Sequence, residues 1–168
     1  LGTEVTVIGD ERHARRTARR FDYRVAPPGN FERATVIDLC PRPAFQRRQF
    51  GKRLADFQAL QFMLADCEVE LRAAEALVLQ ATLLASRGER HTIESSVAKL
   101  YASEAASRIC NRALQIHGGY GYTRDIPLER YWRDARLSEI GEGSSEVQRI
   151  VISRTLLKNQ EAALAGIR

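Results

Sequence analysis

From Phe57 onward, apolar residues recur at Leu60, Leu64, Cys67, Leu71, Ala74, Val78, Ala81 and Ala85, alternating steps of four and three. That spacing draws one stripe along a helix of about 30 residues, which Gly88 ends. Leu77, Leu83 and Leu84 widen the stripe, so this helix is predicted to bury more than one side. Thr92 is the expected N-cap of a second long helix that carries Val97, Tyr101, Ala105, Ile109, Ala113 and Ile116 and stops at Gly118-Gly119. A third, shorter helix is expected after Pro127 and ends near Ile140. A fourth begins just after Gly143 with Val147, Ile150, Val151 and Leu157. Two long and two shorter amphipathic helices predict an all-α fold, an antiparallel up-and-down four-helix bundle over residues 44–168.

The preceding stretch has a different character. Val5 to Ile8 reads as a short strand and Pro27-Pro28-Gly29-Asn30 as a turn; Val36 to Leu39 suggests a second strand, stopped by Pro41 and Pro43. No long period runs through it, so residues 1–43 are expected to form an irregular or poorly ordered N-terminal arm.

Composition adds limits. The chain has 168 residues, 44% hydrophobic and 28% charged, the balance of one soluble globular domain. No apolar run of about 18 residues is present to span a membrane. The start, Leu1-Gly2-Thr3-Glu4-Val5, has no initiator Met and none of the marks of a signal peptide, so a fragment and a cytoplasmic location are expected. Cys40, Cys67 and Cys110 lie far apart, as do His13, His91 and His117, which argues for free thiols in a reducing compartment and for no metal. The net charge is +5, and the densest basic run, Arg12 to Arg20, sits in the arm, while the other cations alternate with Asp and Glu. A phosphate-bearing small ligand fits this distribution better than nucleic acid, which is not an expected partner.

Three stretches are stranger than a bundle requires. Arg47-Arg48-Gln49-Phe50-Gly51-Lys52 precedes Asp56-Phe57-Gln58 at a helix start. Leu114-Gln115-Ile116-His117-Gly118-Gly119-Tyr120-Gly121-Tyr122 marks a helix end. Ile140-Gly141-Glu142-Gly143-Ser144-Ser145-Glu146-Val147-Gln148-Arg149 leads a loop into the last helix. The glycines let backbone approach a flat or phosphorylated ligand closely. The Arg47 guanidinium matches phosphate geometry. Read on physics alone, the same features also describe a basic cap and ordinary glycine helix stops.

In this order and spacing the stretches resemble the acyl-CoA dehydrogenase family, whose C-terminal bundle carries R-x-x-F-G-K, Q-x-x-G-G-x-G and E-G-[ST]-[SN]-x-x-x-R. Arg133-Asp134 fits the same pattern, and the resemblance covers about residues 45–160. It implies FAD as cofactor, with Arg47, Phe50, Gln58, Gln115 and Gly119 binding the FAD of a neighbouring subunit. Ser144 and Glu146 would contact the subunit's own FAD. It implies an acyl-CoA substrate, a homo-oligomer (dimer or tetramer) and an electron-transfer flavoprotein as acceptor. It also places the catalytic base at Glu142, between two glycines and just ahead of a helix N-terminus. Removing the α-proton of a thioester needs a base while the β-hydrogen leaves as hydride to flavin. Excluding water around a carboxylate strengthens it for that task. Gly141 stands where many relatives have an aromatic residue, which leaves room for a bulkier acyl group; Ser144 replaces the commoner Thr and keeps the hydroxyl.

The family's other two domains are not represented in this chain. Its expected function is therefore the C-terminal part of an FAD-dependent acyl-CoA dehydrogenase. The alternative is a catalytically silent helical oligomerisation module, because stripes that run around a helix also suit an interface.

Overall fold

A computed structural model describes residues 46–165. The arm expected over residues 1–43, with its two strands, Cys40, His13 and the Arg12 to Arg20 run, lies outside the described residues. The described part opens with a hairpin of β1 (Arg48–Gln49) and β2 (Lys52–Arg53), pairing Arg48 with Arg53 and Gln49 with Lys52. A 3-10 turn, Leu54–Asp56, follows. The helices are α1 (Gln58–Ser86), α2 (Thr92–His117), α3 (Gly119–Tyr122), α4 (Leu128–Ile140) and α5 (Ser145–Ala165). The four long helices stand where the apolar pattern put them; the hairpin and α3 were not foreseen.

The α1 end is set by Gly88 at φ +69°. Its amide donates to the Ala85 carbonyl at 3.0 Å and the Glu89 amide to Leu84 at 3.0 Å, the paired bonds that a left-handed glycine allows. At the start of α2 the cap position falls on His91 rather than Thr92. The His91 carbonyl accepts the Ser95 amide at 2.9 Å and its ring is hydrogen-bonded to the Ser95 hydroxyl at 2.8 Å, which fixes the turn one residue earlier.

Helix α2 is the centre of the bundle, with α1, α4 and α5 packed against it. Its buried residues include Ser96, Ala98, Ser103, Ala105 and Ala113, side chains short enough to admit a helix on more than one side. The core is Cys67, Ile109 and Ile116, with Leu60, Met63, Leu64 and Leu71 packed around it. Glu70, midway along α1, meets Arg108 at 3.0 Å and Arg112 at 3.1 Å in the second half of α2, and the short turn over residues 87–91 lays the two helices antiparallel. The Arg112 contact lacks a well-aligned hydrogen bond. Glu104 pairs with Arg149 at 2.6 Å and Lys99 reaches Gly143; the near-constant offset means that α5 runs parallel to α2, as an up-and-down bundle requires.

The α1 stripe turns inward at Cys67 and Ala81, while Ala85 is exposed. On α5 the expected stripe divides: Val151 is half-buried, whereas Val147, Ile150 and Leu157 face outward. No helix among the described residues is long and apolar enough to cross a membrane.

Burial pushes the Cys110 thiol up to about 11 from an ordinary 9.0, with neighbouring Cys67 adding to the shift. The folded chain thus holds this proton more tightly than an exposed thiol would. The contribution is complete below pH 9 and is lost as pH rises through 11. Urea midpoints measured between pH 8 and pH 11 should fall more steeply for the parent than for Cys110→Ala; equal alkaline slopes would refute this. Ala113 has no exposed surface. Ala113→Leu should destabilise the bundle by about 1–3 kcal/mol by overpacking, read from the same urea titrations.

Candidate functional site

The hairpin turn is Phe50-Gly51, with φ +51° and +78°. Positive φ at both central residues is the geometry a two-residue hairpin needs, and Gly51 meets it without strain. Phe50 does not: a bulky residue held in the left-handed region is strained. Its ring is also 92% exposed at the hairpin tip. An apolar ring held out at conformational cost is a contact waiting for a ligand or partner.

This hairpin is tied to the end of α2. The Arg47 guanidinium donates to the His117 carbonyl at 3.4 Å, while the Leu54 amide donates to the Arg47 carbonyl at 2.9 Å. Arg47, Gln115 and Gly119 are thereby brought to one end of the bundle, where α1 also begins with Gln58. All four are exposed. Gly118 (φ +61°) turns the chain, and a Cβ added at Gly118 or Gly119 would meet nothing within 4 Å, so this backbone is open to an incoming group. Beneath it His117 is only 4% exposed. Its Nδ1 donates to the Ala113 carbonyl at 2.9 Å, which leaves Nε2 buried without a partner. Gly121 has no such freedom: a Cβ there would lie 2.8 Å from the His117 Cβ and 3.2 Å from the Leu114 carbonyl oxygen.

The second cluster sits between α4 and α5. Glu142 is exposed and lies in the left-handed region at φ +52°, followed by Gly143 at +89°. The Gly141 amide donates to the Leu137 carbonyl at 2.8 Å. Ser144 caps α5: its carbonyl accepts the Gln148 amide at 3.0 Å and its hydroxyl donates to Glu146 at 2.7 Å. That hydroxyl, together with the helix-start amide of Glu146 itself, holds the Glu146 carboxyl below the usual range. The Gly143 carbonyl takes two donors, Lys99 Nζ at 2.6 Å and Gln148 Nε2 at 3.3 Å.

Arg47, Phe50, Gln58, Gln115 and Gly119 therefore gather at one end of α2, and Glu142, Ser144 and Glu146 at the other. Lys99 and His117 lie on one continuous helix, so about 27 Å of helix axis separates the two clusters. One chain does not bring them to a common ligand. Lys99 and His117 themselves were missed in the sequence. The signal for Lys99 was its place beside Ser96 and Ser103, a small polar stripe on the inward side of α2.

Residues 24–157 match the family model described as acyl-CoA dehydrogenase, C-terminal domain, a span that begins upstream of the motifs. The chain is 52% identical over 123 residues to a probable acyl-CoA dehydrogenase, YngJ, of Bacillus subtilis, covering 73% of this chain and 32% of that protein. It is 50% identical over 123 residues to the caffeyl-CoA reductase-Etf complex subunit CarC of Acetobacterium woodii, with the same coverage of 73% and 32%. Among solved structures, butyryl-CoA dehydrogenase from Megasphaera elsdenii superposes with a TM-score of 0.68 at 40% identity, over 74% of this chain and 31% of that one. The chain thus spans about a third of the length of the relatives it matches.

Two substitutions probe the local geometry. Gly121→Ala should cost about 1–3 kcal/mol, because the added methyl meets His117 and the α2 backbone. Glu142→Gly should leave stability within about 0.5 kcal/mol of the parent, since relief of left-handed strain offsets the added chain entropy. Glu142→Val should lose about 1–2 kcal/mol, because a β-branched residue tolerates that region least. Equal urea midpoints for the glycine and valine variants would show that the loop is not held at positive φ.

Proposed function

Because this chain belongs to the acyl-CoA dehydrogenase family, as a match over residues 24–157 to its C-terminal domain establishes, we propose that it is the flavin-binding, base-bearing part of an enzyme that dehydrogenates an acyl-CoA thioester between its α and β carbons. The observation that carries the reading is Glu142. Its carboxylate is exposed on a backbone held in the left-handed region, between two glycines that crowd it with no side chain. Such strain persists where the surrounding structure enforces it, and that is common at functional sites.

FAD fits the residues present at the other end of α2. The open backbone at Gly118 and Gly119, the projecting Phe50 ring, the Arg47 guanidinium and the unpartnered His117 Nε2 below them form a surface with unmet polar and apolar capacity. Arg47 would pair with the pyrophosphate, Phe50 would cover an apolar edge, and Gln58, Gln115 and Gly119 would bind polar groups of the cofactor. When bound, the flavin accepts the hydride from the β carbon. Glu142 takes the α-proton. Ser144 and Glu146 lie beside Glu142, at the start of α5, and would meet the cofactor of their own subunit. The separation of about 27 Å along α2 between the clusters supports a cofactor site shared between copies, hence a homo-oligomer of at least two chains. The CarC relative's place in a reductase-Etf complex supports an electron-transfer flavoprotein as the redox partner. Gly141 leaves space beside the base for a bulky acyl group.

A second reading, an assembly module without activity, is favoured by one observation. Phe62, Val69 and Leu79 on α1 and Leu156, Leu157 and Leu164 on α5 are large, apolar and exposed. The two readings separate on one experiment. The chain is incubated with FAD and passed over a sizing column, and the complete enzyme is titrated with saturated acyl-CoA while flavin absorbance is followed. Flavin that co-elutes with an oligomer and bleaches on acyl-CoA addition supports the enzyme. A complete protein that assembles but holds no flavin, or holds flavin that no acyl-CoA bleaches, overturns it. Glu142→Gln should lower kcat by about 10²–10⁴-fold, the usual worth of a general base, with flavin content unchanged.

A further inference from the structure

We propose that Lys99 is the positioning residue for Glu142: its ammonium, reaching from α2 to the Gly143 carbonyl, holds the Glu142 backbone in its left-handed turn and so aims the carboxylate. This inference rests on the reading of Glu142 as the base.

The geometry is a clamp on a short loop. Upstream, the Gly141 amide is fixed to the Leu137 carbonyl at 2.8 Å, at the end of α4. Downstream, the Gly143 carbonyl receives Lys99 at 2.6 Å from α2 and Gln148 at 3.3 Å from α5, which fills both of its acceptor positions. Glu142 is the residue between these pinned peptides, and its φ of +52° is one that no local preference of Glu would maintain. Of the two donors, Gln148 belongs to the helix that the loop enters and moves with it. Lys99 comes from the central helix and ties the loop to the rest of the bundle. A charged donor at this length is also the stronger of the two.

Lys99 is half-buried, and that burial lowers its affinity for a proton, while the carboxylates around it act in the opposite sense. Those are Glu139 from α4, Glu142 from the loop and Glu146 from α5. Arg136 also faces this group, pairing with Glu139 and acting on Glu146.

The test uses the complete flavin-loaded enzyme in three forms: parent, Lys99→Met and Glu142→Gln. Hydrogen exchange reads the loop, and steady-state kinetics read the base. For Lys99→Met the hydrogen-bonded amides that flank the loop, Gly141 and Gln148, should exchange about tenfold faster while α2 is unchanged. Its kcat should fall about tenfold, with KM and flavin content within twofold of the parent. A merely structural role would lower flavin content and thermal stability together with kcat; this outcome overturns the proposal. Normal kcat in Lys99→Met, with Glu142→Gln inactive, overturns it while sparing the assignment of the base. Normal turnover in Glu142→Gln overturns both. Should Lys99→Met fail to fold, Lys99→Gln, whose amide suits the same half-buried place, is judged by the same loop exchange and the same split of kcat from KM.

Discussion

The structure depends on how closely three helices can approach α2. A helix packed by α1, α4 and α5 has little room for long side chains, and its buried positions are mainly Ser and Ala, with Ile109 and Ile116 reserved for the side that meets α1. Small residues shorten the distance between helix axes and give the bundle a rigid centre. The departures from this rule are informative. Lys99 near one end of α2 and His117 at the other are longer polar side chains that are at least partly buried, and each supports one cluster of candidate site residues.

That arrangement turns a packing element into a spacer. The two ends of α2 set the distance between an open glycine backbone with an arginine and an aromatic ring, and a strained loop with a carboxylate. A rigid spacer of about 27 Å keeps those groups apart in one chain. A ligand that needs both types of group must draw them from two chains. The outward apolar residues on α1 and α5 are a surface such an assembly would cover, as would the additional length that the relatives carry. The same physics accounts for the thiols. Cys67 and Cys110 fill the seam between α1 and α2, and burial raises both, so they serve as packing groups rather than nucleophiles.

Strain is confined to two places among the described residues, Phe50 and Glu142, the non-glycine residues with positive φ. Both are exposed, so neither is forced into place by burial of its own side chain. Each is held by its surroundings: the hairpin pairing and the Arg47 tie for Phe50, the Lys99 and Gln148 donors for Glu142. A non-glycine residue held at positive φ by contacts from elsewhere in the chain is a common mark of a functional site.

By itself the sequence determined the helices and named the candidates for the chemistry. A 3.6-residue period is a property of neighbouring positions, so the α1 and α2 stripes and the glycine stops at Gly88 and Gly118 were legible without any coordinates. Arg47, Phe50, Gln115, Gly119, Glu142 and Ser144 were legible as candidates, because their motifs are contiguous. The stripe on α5 was only half right, since periodicity tells which residues share a face but not whether another helix covers it. Lys99 and His117 became visible only in the folded chain. Each acts through a contact across many residues, to the Gly143 carbonyl and from the Arg47 guanidinium, and no local pattern encodes which distant backbone oxygen a side chain will meet. The division of the site between two ends of one helix was likewise decided by tertiary structure, because the order of motifs along a chain does not fix their separation in space.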